Sequence, residues 1–186
     1  AYLLGSVPFG LVVAKIFSLP DPRTIGSGNI GATNVLRTGS KFAALLTVFL
    51  DGAKGAVAVL VARFIAGEDA AQVAALAAFI GHLYPVWLGF KGGKGVATLL
   101  GTLVALLPVL GLIALVSWLF GYFVFRYSSL SALLSAAVTP IVAYAQGHTS
   151  YLLLLIIMAA LVWWRHRENI SRLLNGTEPM VDWKNK

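Results

Sequence analysis

The chain has 186 residues, of which 59% are apolar and 11% charged, and its formal net charge is +7. A water-soluble fold of that length cannot hide so much apolar surface, which excludes the soluble globular classes. The absence of Cys excludes a disulfide framework and a thiolate metal site, and His82, His148 and His166 do not fall at zinc-ligand spacings.

A membrane helix needs roughly 20 apolar residues to cross about 30 Å of hydrocarbon. In chain order the candidates are 2–19, 42–66, 70–90, 96–125, 127–145 and 150–164. The first has no basic residue ahead of its apolar run and only Lys15 near its far end, so it reads as a span and not a cleavable signal peptide. The 96–125 stretch, at ~1.5 Å per residue, extends about 45 Å, too long for one untilted pass. Pro108 and Gly111 mark a turn within it, leaving 96–107 as a short, partial or re-entrant span. The expectation is an all-α membrane protein of seven transmembrane or partly re-entrant helices forming a single domain over 1–186.

Basic loops stay in the cytosol. Arg23, Arg37 and Lys41 occupy the first loop, Lys91 and Lys94 the loop before residue 96, Arg126 another, and Arg165, Arg167, Arg172, Lys184 and Lys186 the tail. The turns at 67–71, 107–109 and 146–149 have no Lys or Arg. Seven segments with the amino terminus outside and the carboxy terminus cytosolic satisfy this pattern. Contacts to anionic lipid would use the same charges.

Three cytosolic clusters carry chemistry. The first, GSGNIGATNVLRTGSK from Gly26 to Lys41, combines glycines, hydroxyls and amides with Arg37. Backbone N–H groups freed by glycine, side-chain donors and the start of the next helix together make an anion cradle. Gly26, Gly28 and Gly31 match G-x-G-x-x-G, but Pro20 and Pro22 precede them in place of a strand, so the dinucleotide reading fails. The second cluster is FKGGKGVAT, Phe90 to Thr98. Gly95 after Lys94 and Leu at position 88 exclude a Walker loop. Lys91 suits a headgroup anchor, and Lys94 among three glycines suits a ligand. The third is WWRHRENISRLLNGTEP, Trp163 to Pro179, in which His166 and Asn169 share a helix face and Glu178 follows a turn.

Asp51 and Lys54 lie inside the second span, as an ion pair that fixes helix packing or as part of the site. Arg63 near the outer end is expected to snorkel, and His82 to be a buried hydrogen-bonding histidine, the alternative being that it orients the second loop. Ser128, Ser129, Ser131 and Ser135 are expected to join helices, with Arg126 a weaker candidate for the anion site.

The segments GSGNIGATN and GHLYPVWLGFKGGKGVAT and the tail ending NGTE resemble, in order and over essentially the whole chain, the three motifs of the bacterial acyl-phosphate:glycerol-3-phosphate acyltransferases. The resemblance implies a multi-pass enzyme of the bacterial cytoplasmic (inner) membrane that performs the first acylation of phospholipid synthesis. It implies transfer from acyl phosphate to the sn-1 hydroxyl of glycerol 3-phosphate, giving lysophosphatidate and phosphate, with no cofactor, no metal and no nucleic-acid partner. By that resemblance Ser27, Asn29, Thr33, Asn34, Arg37 and Lys94 bind phosphate in a setting shaped by Gly26, Gly28 and Gly31. Gly92, Gly93 and Gly95 allow close approach. His166, Asn169 and Glu178 orient glycerol 3-phosphate, and the group that removes the hydroxyl proton is His166 or a substrate phosphate oxygen. Ser27, Lys94, His166, Asn169 and Glu178 form the expected catalytic set. The acyl chain then lies among the helices, within reach of membrane lipid. A transporter would place its binding groups near midplane in related halves, and a metal-dependent headgroup transferase would need several Asp on one helix, where Asp51 stands alone.

Overall fold

The computed structural model describes residues 1–181, so Lys184 and Lys186 lie outside the described residues. Among the described residues every regular element is helical. Of these described helices three, or four with a bent pair taken as one span, are long and apolar enough to cross a bilayer. Large apolar side chains on the outside, such as Phe64 at 92% exposure, suit lipid and not water. The chain divides into two compact units, Ala1–Leu106 and Leu107–Lys186.

In the first unit the opening stretch is not one continuous helix. It forms α1 (Tyr2–Gly5) and α2 (Phe9–Ile16) around a break at Pro8. Proline has no N–H and disfavours helical geometry in the residue before it, and apolar length alone does not register that. The break is supported from elsewhere in the unit. Trp87 Nε1 donates to Ser6 Oγ at 2.8 Å, and Lys54 Nζ donates to the Val7 carbonyl at 2.8 Å. After α3 (Ala32–Leu36), the long element α4 (Lys41–Leu83) contains Gly67 at φ 82 and ψ −167, a conformation no helix holds. The chain doubles back there. Asp51 and His82, nearly equidistant from Gly67 along the chain, come within 3.5 Å of each other. The second limb ends at Leu83, earlier than position 90, because Pro85 follows Tyr84.

Helix α5 (Val96–Leu106) is short, about 16 Å at ~1.5 Å per residue, as the expected partial span requires. It runs parallel to the first limb of α4. Gly52 meets Gly101 backbone to backbone, and Gly55 meets Thr98. Inside a bilayer, where apolar burial does not favour one helix contact over another, small residues of this kind permit the close approach that packing needs. Arg63 does more than snorkel. Its guanidinium donates to the Ala105 and Leu106 carbonyls at 2.6 and 3.1 Å and pairs with Glu68 at 2.7 Å, so it caps the carboxy end of α5.

The second unit begins with α6 (Pro108–Phe125) and α7 (Ser128–Ala145), which are antiparallel. Gly121 lies against Ser131, and Ser135 donates across to the Ala114 carbonyl at 2.7 Å, the helix-joining role expected for it. Pro140 sits inside α7 and cannot satisfy the Ala136 carbonyl. The Thr139 hydroxyl donates to that carbonyl at 3.0 Å instead. Helix α8 (Leu152–Arg165) bends by 60° at His166 into α9 (Arg167–Leu174).

Candidate active site

In the first unit the Gly26–Lys41 loop is anchored, not slack. Val35 is fully buried with Val13, Ala43 and Ala44, and Gly10 is pressed so closely on the Ile30 carbonyl that a side chain there has no room. Gly26 and Gly28 take left-handed φ values of 55° and 66°. Above Gly26 lie the Arg37 guanidinium and Asn34 Oδ1, where a Cβ would stand. Asn34 is 2% exposed. Its Nδ2 donates to the carbonyls of Pro22 and Ile25, the latter at 2.8 Å, and its Oδ1 accepts from Arg37 Nη1 at 3.0 Å. The amide therefore ties the loop to itself and aims Arg37. Asn29 Oδ1 accepts from Gly31 N at 2.8 Å, closing a local turn. The hydroxyl-bearing residues Ser27 and Thr33 are exposed, and Arg37 is half-buried.

Helix α3 has only five residues, so the loop's positive character rests on Arg37 and loop amides more than on a helix dipole. Upstream, Arg23 forms a 2.6 Å pair with Asp21. The Arg23 hydrogen bond holds the Asp21 carboxyl below its ordinary range.

The second loop is built onto the end of α4. Gly92 N and Gly93 N each donate at 3.1 Å, to the Leu83 and His82 carbonyls. A Cβ at Gly92 would strike those carbonyls, one at Gly93 would strike the His82 ring, and one at Gly95, with φ 87, would strike Phe79. The three glycines thus let the loop backbone seat on α4. Lys94, half-buried, is carried between them, and Lys91 is exposed.

The second unit holds the third cluster. His166 is buried at the α8–α9 bend, with Nδ1 2.8 Å from the Val162 carbonyl. A carbonyl can only accept, so Nδ1 carries the proton and the neutral ring has its lone pair on Nε2. Asn169 Nδ2 donates to Glu178 Oε1 at 2.6 Å, Ser129 Oγ donates to the same oxygen at 2.6 Å, and Arg172 Nε donates to Oε2 at 2.7 Å. The Glu178 side chain is 7% exposed. Burial alone would raise its pKa, but these hydrogen bonds and the Arg172 charge outweigh burial and hold the carboxyl below its ordinary value. Glu178 is in this way a strut that fixes Asn169.

Sequence reasoning missed Arg172 as a partner and assigned Ser129 to helix joining. Arg126 likewise turns to the tail, donating to the Val181 carbonyl at 3.0 Å while its own carbonyl accepts Val181 N at 2.7 Å. A Ser–Glu pair 49 positions apart has no periodic signature; only the NGTE resemblance marked one end of it. Among the described residues no three of His, Asp and Glu gather where they could hold a metal ion.

The glycerol-3-phosphate acyltransferase family profile matches residues 1–176. The chain is 58% identical over 186 residues to a glycerol-3-phosphate acyltransferase of Dinoroseobacter shibae, covering 100% of this chain and 92% of that one. It is 51% identical over 183 residues to one of Agrobacterium fabrum, covering 98% and 89%. Crystal structures of PlsY, an integral membrane glycerol 3-phosphate acyltransferase, are similar in fold as well. The glycerol 3-phosphate form gives a TM-score of 0.92 at 42% identity over 97% of this chain and 92% of that one. The lysophosphatidic acid form gives 0.90 at 41% over 97% and 91%. Matched along nearly its whole length in both sequence and fold, the chain belongs to the integral membrane glycerol-3-phosphate acyltransferase family.

Proposed function

We propose that the protein transfers a fatty acyl group from an acyl phosphate to the sn-1 hydroxyl of glycerol 3-phosphate at the cytosolic face of the bacterial inner membrane. The reaction forms the ester C–O bond, breaks the C–O bond of the mixed anhydride, and releases lysophosphatidate and inorganic phosphate. The observation that carries this reading is the Asn34–Arg37 arrangement, a buried amide aiming a guanidinium over a glycine turn flanked by the exposed residues Ser27 and Thr33. Fixed guanidinium and backbone donors of this kind suit an oxyanion.

Both substrates carry phosphate, and charge grows on the leaving phosphate as the carbonyl is attacked. Ser27, Asn29, Thr33, Arg37 and Lys94 gather donors for it, and Gly26, Gly28, Gly31, Gly92, Gly93 and Gly95 allow the backbones to fold tightly around them. Asn34 acts through Arg37. In the second unit, Asn169, fixed by Glu178, and His166 orient glycerol 3-phosphate. The hydroxyl proton passes to His166 Nε2 or to a phosphate oxygen; the Nδ1 contact with Val162 supports the first. An acyl phosphate is already activated, so no covalent acyl-enzyme is needed.

The test is phosphate release by purified protein given acyl phosphate and glycerol 3-phosphate. Release that requires both, with lysophosphatidate formed in equal amount, is expected. Release from acyl phosphate alone would mean a phosphatase and would overturn the reading. Lys94→Ala should lower kcat/KM by ~100-fold, as loss of one preorganised donor does, and Lys91→Ala far less.

A further inference from the structure

We infer that Asp51, Lys54 and His82 form a buried positioning relay that sets the Gly92–Gly95 loop and hence the place of Lys94. The inference rests on the reading of Lys94 as a phosphate ligand only for its catalytic consequence, not for its structural claim.

Asp51 and Lys54 are each 3% exposed and paired at 2.6 Å, within the span 42–66. Ionisable groups at such depth are costly, and apolar side chains of equal volume would pack the helix as well. What the pair does beyond packing is visible in its other contacts. Lys54 Nζ donates to the Val7 carbonyl at the Pro8 break and lies over the Phe9 ring at 5.7 Å, so its place is fixed from the first span. Asp51, held by Lys54, lies 3.5 Å from His82 Nδ1. At that distance the carboxylate acts on the ring by its charge, which favours the proton on Nδ1.

The opposite edge of the His82 ring, at Nε2, fills the space a Gly93 side chain would need. The His82 carbonyl also accepts Gly93 N at 3.1 Å, so the residue meets the loop with both ring and backbone. The far bank of the loop is referenced to the same point, because Thr98 Oγ1, in the first turn of α5, donates to the Asp51 carbonyl at 2.9 Å. Asp51 thus touches both banks, through its side chain to His82 and through its carbonyl to Thr98, with Lys94 between them. A plain core ion pair has no reason to be joined to both.

The test measures hydrogen–deuterium exchange of the intact protein in detergent for wild type, His82→Ala, Asp51→Asn and Thr98→Val. Thr98→Val is nearly isosteric and keeps the buried charges, so it remains informative if another variant folds poorly. The relay predicts exchange at 92–95 faster by about tenfold in each, with the α6–α7 helices unchanged. It also predicts kcat/KM lower by tens-fold in His82→Ala, with partial recovery in His82→Gln, whose amide reaches the Nε2 position. Because His82 acts through Lys94, His82→Ala combined with Lys94→Ala should cost little more activity than Lys94→Ala alone.

Unchanged exchange at 92–95 in Thr98→Val and Asp51→Asn, or losses in the double variant that multiply in full, would overturn the relay. Loosened exchange together with normal activity and normal inhibition by inorganic phosphate in Lys94→Ala has a different meaning. It would support the relay as structure and sink the phosphate role of Lys94.

Discussion

Asn34 and Arg37 work as a unit in which the buried amide makes the loop contacts and holds the half-buried guanidinium over Gly26. The amide uses both Nδ2 protons on the Pro22 and Ile25 carbonyls and its oxygen on Arg37 Nη1. Asn34→Ala should therefore leave two carbonyls without their donor and release Arg37. Unsatisfied buried groups cost ~1–3 kcal/mol each, so the apparent Tm should fall. Inhibition by inorganic phosphate should weaken too. Arg37→Ala should weaken inhibition with a much smaller change in Tm, because the clasp on Pro22 and Ile25 survives. Thermal unfolding in detergent beside phosphate inhibition curves checks both, and a similar Tm loss in the two variants would contradict this division of labour.

The depressed pKa of Glu178 sets a pH window. A carboxylate whose folded pKa lies below its unfolded value, about 4.3, contributes stability that is fully present above the unfolded value and is lost as pH falls through the folded one. Wild type should thus exceed Glu178→Gln in Tm by a constant margin from about pH 8 to pH 5, and the margin should close below about pH 4. Melting curves of the two proteins across that range test it. A margin that opened toward acid would mean that the carboxyl is neutral in the folded protein.

Much of this architecture is legible in composition, because a bilayer permits few backbone solutions and an apolar run of a given length then means a helix. Proline marks the end of α5 at Pro108 for the same reason. Two kinds of feature escape. The break at Pro8 lies in a run read by its apolar length, and its support by Lys54 and Trp87 joins residues far apart in the chain. The second kind concerns glycines. Gly92 and Gly93 stand where a phosphate loop would have them, yet a side chain there would strike His82 and Leu83. A glycine in sequence says that something comes close but not what. The same holds for Glu178, whose position the NGTE resemblance marks while its Ser129 and Arg172 partners follow no spacing rule.

Orientation is testable because the chain has no Cys of its own. Cysteine at Lys41 or at Asn175, both exposed, should react with an impermeant reagent only from the cytosolic side. For the opposite side the site of choice is the exposed Gln146, since neighbouring Gly147 has φ 79 and would be strained by a side chain. Gln146→Cys should label only from outside. Labelling of Lys41→Cys and Gln146→Cys from the same side would break the seven-segment arrangement.

The proposed acyl-phosphate donor would separate this enzyme from thioester-dependent acyltransferases. Those enzymes commonly pair His with Asp five positions on, so that the acid orients the base. Here the residues five after His82, His148 and His166 are Trp87, Leu153 and Ser171. His166 is instead oriented by a backbone carbonyl, that of Val162. His82 does approach an acid, Asp51, but the opposite edge of its ring is occupied by the Gly93 loop. The candidate site residues are correspondingly rich in phosphate donors and poor in acids: Glu178 is already engaged by three side-chain donors, and Asp21 is paired with Arg23. A phosphate bound by Arg37 and Lys94 needs neutralisation by fixed positive charge, which those two side chains carry. Turnover with acyl phosphate should therefore persist in EDTA, should fall as inorganic phosphate is added, and should vanish when acyl-CoA replaces acyl phosphate. Robust lysophosphatidate formation from acyl-CoA would overturn the donor assignment, and loss in EDTA that Mg²⁺ restores would overturn the charge balance.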